Sequence, residues 1–169
     1  KIKVSIHGHE KRSYPTATSA SDILQDIAPQ LFNEAVAVKV NGLLMDKETV
    51  LVEDAEIEAV TASSHDGHDV LLHSASHLMA QAVKQLFPEV KVTIGPTIEN
   101  RFYYDFDVET PFSEEDLNSI EKEMHEISKE NCEITHEVKS RKDAISLFKK
   151  IKESYKVEII NDLEKSEVL

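Results

Sequence analysis

Ile2, Val4 and Ile6 alternate with Lys3, Ser5 and His7, the period-two spacing of a strand with one buried face. His7-Gly8-His9-Glu10 reads as a turn, and Arg12 to Pro15 as a short returning strand. Ser19 or Ser21 can cap a helix that runs through Ile23, Leu24 and Ile27 to Pro29, since a short side-chain oxygen accepts from a free first-turn N–H and proline cannot continue the ladder. Ala35 to Val40 is a third strand. Asn41-Gly42 is the strongest short hairpin signal in the chain, because both residues tolerate the positive φ of a type I′ turn. Leu43 to Met45 continues beyond it, and Ile57 to Thr61 makes a last strand. Two strands, a helix and three strands predict a small β-grasp domain over residues 1–62, with one helix laid across a sheet.

Ala62-Ser63-Ser64-His65-Asp66-Gly67 is a polar break and sets the expected boundary, with a second domain over residues 63–169. A helical pattern from about His68 to Phe87 stops at Pro88, and Gly67 is expected to interrupt the chain before it. Lys91 to Ile94 and Ile98 to Asp107 read as strands around the Gly95-Pro96 turn. Ser113 with Asp116 resembles a capping box at the start of a charged helix from Glu114 to Glu130. Glu133 to Val138 reads as a strand, Lys142 to Ile151 as a helix and Tyr155 to Ile160 as a strand. The expected class is α+β throughout, with a long His-bearing helix packed on an antiparallel sheet in the second domain.

Composition narrows the function classes. With 19 Lys and Arg against 32 Asp and Glu, the net charge is -13, which argues against a generic nucleic-acid coat because phosphate binding is dominated by basic side chains. A specific, local contact with RNA stays open. The basic residues cluster from Lys139 to Lys156, after an acidic stretch from Asp105 to Glu137; solvated helix faces are the plain account of both, and a patch for an anionic partner is the functional one for the basic stretch. The longest strictly apolar run, Ala35 to Val38, is far too short to span a bilayer. The lone Cys132 cannot form an internal disulfide, and no secretory pattern opens the chain, so a reducing cytoplasmic setting is expected. Gly8, Gly42, Gly67 and Gly95 lie too far apart for either common nucleotide-cradling loop.

The chemistry concentrates in His73-Ser74-Ala75-Ser76-His77. Histidines at i and i+4 share one helix face and titrate near neutrality, so the pair can share a proton, hold a water or bind a metal. At about 100° per residue, Leu71, Ala75, Leu78, Met79, Ala82 and Leu86 form the apolar face, and His73, His77 and Lys84 fall roughly opposite its centre. Ordinary polar-face residues in water are the competing account. Zinc is a weak reading: His65 and His68 are separated from the pair by the expected break, while His125, Cys132 and His136 lack paired spacing. The metalloprotease motif would need Glu where Ser74 stands. No nucleophile elbow is present.

Val40-Asn41-Gly42, His73-Ser74-x-x-His77-Leu78, Ala82-Val83-Lys84-Gln85-Leu86-Phe87-Pro88, Ile94-Gly95-Pro96, Phe102-Tyr103-Tyr104-Asp105 and Glu153-Ser154-Tyr155-Lys156-Val157 occur in that order. The series resembles the amino-terminal part of bacterial threonyl-tRNA synthetases and covers essentially the whole chain. Residues 1–62 resemble their TGS domain and residues 63–169 most of their editing domain. The resemblance implies a parent enzyme that joins threonine to its tRNA with ATP and magnesium, in a zinc-containing catalytic domain whose motifs are not in this chain. It implies that this region belongs to the module that hydrolyses seryl-tRNA(Thr). Serine is threonine less one methyl, and a pocket that fits threonine rejects it by only roughly 1–3 kcal/mol, or 10- to 200-fold, so a second, size-excluding site is needed.

The resemblance places His73, His77 and Lys156 in the hydrolytic site as catalytic residues, and Gly95 and Tyr104 beside the aminoacyl adenosine. It gives His73 a proton relay near the ribose, His77 the positioning of water or substrate, and Lys156 the activation of water or the countering of developing charge. It further implies an editing domain that continues past Leu169 through a Cys-x-x-x-His element; Cys132 and His136 share that spacing but precede Lys156, which is the wrong order. A trimmed, monomeric piece with little hydrolytic activity is therefore expected, the parent dimerising through its catalytic domain, with tRNA(Thr) and the seryl ester as partners and no membrane contact. Two other classes compete: a non-catalytic RNA-binding or regulatory TGS module, and a freestanding metallohydrolase built on the His pair.

Overall fold

The computed structural model describes residues 1–93, 95–132, 134–135, 137–163 and 167–168. They fall into two compact units, Lys1–Leu72 and His73–Leu169.

In the first unit, β1 (Ile2–Ile6) buries Ile2, Val4 and Ile6, the alternation its sequence predicts. It pairs antiparallel with β2 (Arg12–Tyr14). After β3 (Thr18–Ser19), helix α1 (Ala20–Ile27) begins at Ser19, whose side chain accepts from the Asp22 N–H at 3.0 Å. Pro29 ends that helix and opens a short one, α2 (Pro29–Glu34). Proline suits the first turn, where its missing N–H has no partner to lose. Then come β4 (Ala35–Val40), β5 (Leu43–Met45), β6 (Val50–Leu51) and β7 (Ala55–Thr61).

Asn41 and Gly42 both take positive φ, 51° and 83°. This closes a two-residue hairpin with Val40 opposite Leu43. The sheet order is β2-β1-β7-β4-β5, with β1 and β7 parallel and the other pairs antiparallel. Ile23 and Leu24 of α1 are fully buried with Val4, Val38 and Ile57, each such side chain contributing about 1.5–3 kcal/mol of transfer free energy. The expected β-grasp is present, with α2 and the small β3–β6 ladder added.

The long helix α3 (His65–Leu86) begins earlier than its sequence suggests. Gly67 does not break it. The Ser64 hydroxyl accepts from the Gly67 N–H at 3.1 Å, as a cap does, and donates to the Thr61 carbonyl at 2.7 Å. A Cβ on Gly67 would stand 1.9 Å from that same carbonyl oxygen, so glycine serves close packing inside the first turn.

The second unit continues with β8 (Lys91–Val92), β9 (Thr97–Ile98), β10 (Arg101–Phe102) and β11 (Phe106–Asp107). They pair as two-stranded antiparallel ladders, β11 with β8 and β10 with β9. Helix α4 (Glu114–Glu130) carries the full capping box of Ser113 and Asp116, and Asn131 closes it in the left-handed region. Strand β12 (Lys139–Ser140), helix α5 (Arg141–Lys150), helix α6 (Ser154–Asp162) and strand β13 (Glu167–Val168) complete the described chain. Ala82 and Val83 of α3 pack with Ile120 and Ile127 of α4, with Phe87, Val90, Phe106 and Phe112 against them.

Two sequence expectations change here. Tyr155 to Ile160 is helix, not strand. Its Tyr, Val and Ile content favours strands, but the local preference is overridden by contacts at both helix ends, described below. Of the strand expected over 133–138, Glu133 and His136 lie outside the described residues, and Ile134, Thr135, Glu137 and Val138 form no strand. Ile94 also lies outside them. Among the described residues no helix is long and apolar enough to cross a membrane.

Candidate functional site

Helix α3 sets the His pair in register. The buried Ser76 hydroxyl donates to the His73 carbonyl at 2.7 Å, so this turn is fixed from inside. One turn along the exposed stripe, the Nε2 atoms of His73 and His77 stand 2.8 Å apart, with ring centroids at 4.6 Å. At that separation one imidazole donates and the other accepts, so the two share a proton and cannot easily both be charged. Partial desolvation, then the charge of His73, then that of Lys156, hold His77 below its ordinary pKa of 6.5. The Lys156 influence brings the first turn of α6 into the electrostatic neighbourhood of the His pair.

Gly95 and Tyr104 also meet. A Cβ on Gly95 would lie 2.0 Å from Tyr104 Cδ2 and 2.4 Å from its Cε2, so only glycine lets the ring lie flat against this backbone. The Tyr104 ring stacks on Phe106, with centroids at 5.0 Å. Burial, then the charge of Glu153, push its hydroxyl pKa up.

Sequence spacing assigned Lys84 to the solvent face. Instead its ammonium donates to the Pro88 and Val90 carbonyls, each at 2.9 Å, and pairs with Glu153 Oε1 at 2.9 Å. The wheel fails there because the stripe His73, His77, Lys84 is covered toward its carboxy-terminal end, where Ala80 is buried. Glu153 is itself buried, and among the described residues its Oε2 has no hydrogen-bond partner. The only sequence signal for it is its place in Glu153-Ser154-Tyr155-Lys156. Next to it, the Tyr155 hydroxyl donates to Asp107 Oδ2 at 3.1 Å. At the other end of α6, the Arg141 guanidinium donates to the carbonyls of Ile160 and Asn161.

The remaining candidates stand apart. His65 faces Asp66 and Asp69 at 3.6 Å each. His125 lines a shallow depression of about 470 Å³ on α4. Cys132 is exposed, its Sγ 3.6 Å from Glu130 Oε2; His136 lies outside the described residues. Among the described residues no three His, Cys, Asp or Glu side chains cluster as a metal site. A cleft of about 730 Å³, walled by Phe87, Val90, Lys91, Asp107 and Phe112, includes neither histidine of the pair; the chemistry follows the convergent side chains and not the volume.

No family model matches the chain. It is 46% identical over 162 residues to a threonine-tRNA ligase of Citrifermentans bemidjiense, covering 96% of this chain and 26% of that one. A threonine-tRNA ligase of Clostridium novyi is 43% identical over 168 residues, covering 99% of this chain and 26% of the relative. One of Clostridium tetani is 47% identical over 149 residues, covering 88% and 23%. The chain therefore spans about a quarter of the length of the curated relatives it matches.

Proposed function

The chain is homologous along nearly its whole length to the amino-terminal part of the threonine-tRNA ligases, and from that premise we propose that it carries part of a proofreading site that hydrolyses serine from tRNA(Thr). The observation that supports this most is the 2.8 Å His73–His77 contact with the Lys156 charge acting on His77. A shared-proton imidazole pair under the influence of a lysine charge suits an ester, which must lose an alkoxide and gain a hydroxyl.

In this reading His77 holds the attacking water. As the water oxygen bonds to the seryl carbonyl carbon, the pair takes up its proton, and the Lys156 ammonium faces the charge that grows on the carbonyl oxygen. The acyl C–O bond to the ribose then breaks, and His73 returns a proton to the departing ribose oxygen. Because His77 is held below its ordinary value, the pair is available as a base near neutrality. In this reading Gly95 and Tyr104, which meet closely, stand beside the terminal adenosine. No step in this reading passes through a metal ion. Aminoacylation, its ATP and the tRNA partner belong to the same proposal for a ligase-length chain.

The test joins residues 1–169 to the remaining length of the Citrifermentans bemidjiense ligase and measures hydrolysis of seryl- and threonyl-tRNA(Thr). Hydrolysis of the seryl ester with the threonyl ester spared is the expected outcome, with residues 1–169 alone weak. Equal hydrolysis of both esters, or of neither, contradicts the reading.

A further inference from the structure

Helix α6 begins without a side-chain cap: Glu153 occupies the capping position, but its carboxylate makes no bond to the helix N–H groups. Instead it turns inward to the Lys84 ammonium at 2.9 Å. Lys84 is fixed by the Pro88 and Val90 carbonyls, just past the carboxy-terminal end of α3. The result is a strut between two elements. It starts at a lysine two turns along α3 from His77 and ends three residues before Lys156. The carboxylate is the covered partner, with side-chain exposures of 32% for Lys84 and 11% for Glu153. One carboxylate oxygen lies on the strut, and the other is buried without a hydrogen-bond partner among the described residues.

A buried carboxylate with an unmet oxygen is costly unless its counter-ion stays in place. A neutral, well-packed pair would hold two helices together at less cost. What the charged pair adds is a defined register, because an ammonium and a carboxylate bond at one separation, whereas apolar side chains slide. Tyr155 to Asp107 and Arg141 to the final α6 carbonyls pin the same helix at two further points. Lys156 sits inside this frame on the first turn.

We propose that the Lys84–Glu153 ion pair is a positioning element that sets Lys156 against the His73–His77 pair. The inference rests on the hydrolytic reading of the site only for its consequence in catalysis; the placement itself is independent of it.

The test is a double-mutant cycle on the 169-residue chain, read by the NMR titration of the His77 ring. Lys156→Met removes a neighbouring positive charge and raises the His77 midpoint. Lys84→Met, by releasing α6, raises it as well. In the Lys156→Met background, Lys84→Met adds nothing, since there is no longer a lysine to misplace. The reversed pair, Lys84→Glu with Glu153→Lys, restores part of the lowered midpoint. An effect of Lys84→Met that persists in full without Lys156, or no effect in a chain whose amide spectrum stays folded, overturns the proposal. If Lys84→Met unfolds the chain, Glu153→Gln supplies the same cycle with a smaller change in volume. None of these readouts requires hydrolysis. If the cycle behaves as stated while seryl-tRNA stays intact with the ligase-length protein, the proofreading reading fails and the positioning role stands.

Discussion

A Cβ at Gly95 would overlap the Tyr104 ring at 2.0 Å, and this single contact makes a sharp prediction. Gly95→Ala displaces the ring, costs about 1–3 kcal/mol in unfolding free energy as overpacking does, and lowers the Tyr104 hydroxyl pKa toward its ordinary value as the ring leaves its buried place near Glu153. Ultraviolet titration of the tyrosines reads the second effect; an unmoved Tyr104 contradicts the close approach. His77 makes a prediction in pH. Its folded pKa lies below the ordinary 6.5, so between the two values the unfolded chain binds more protons. Its contribution to stability is complete above 6.5 and is lost as pH falls through the folded value. His77→Gln therefore flattens the acid side of the stability profile measured by urea melts, and an unchanged slope argues against a depressed His77. At this scale the sequence is only half legible. An i,i+4 spacing forces the two imidazoles together whatever surrounds them. Lys84 lies on the same stripe and was misplaced, because a wheel assigns faces to solvent without knowing which end of the helix is covered. Nothing in the hydrophobic pattern around Glu153 marks it as buried.

Elements repeat the pattern. Asn41-Gly42, Ser19 and the Ser113–Asp116 box act within a few residues, and each appears where the sequence places it. Gly67 was read as a break because glycine is a poor helix former, yet its reason for being there is the Thr61 carbonyl across the bend. Gly67→Ala raises intrinsic helix propensity but destabilises the chain by about 1–3 kcal/mol in denaturant melts; stabilisation would show that the turn relaxes freely. Helix α6 was read as a strand because Tyr155, Val157 and Ile159 alternate. Its helical state depends on partners distant in sequence, Lys84, Asp107 and Arg141, which no window over 155–160 contains.

For the whole molecule, order along the chain was more informative than composition. An acidic balance of -13 says nothing of kinship, while the series of motifs from Val40 to Val157 resembles the threonine-tRNA ligases, which the chain matches at 46% and 47% identity. Of the two compact units, the second holds the His73–His77 contact and the Gly95–Tyr104 approach, and the first holds an Arg12–Tyr14–Asp26 cluster. The central claim is that these groups hydrolyse a seryl ester, and single-turnover hydrolysis of seryl-tRNA(Thr) tests it most directly. In the ligase-length chain carrying this segment, Lys156→Met slows that hydrolysis by about 100-fold or more, as expected when charge stabilisation at the reacting carbonyl is removed. A rate equal to that of the unsubstituted protein contradicts the account.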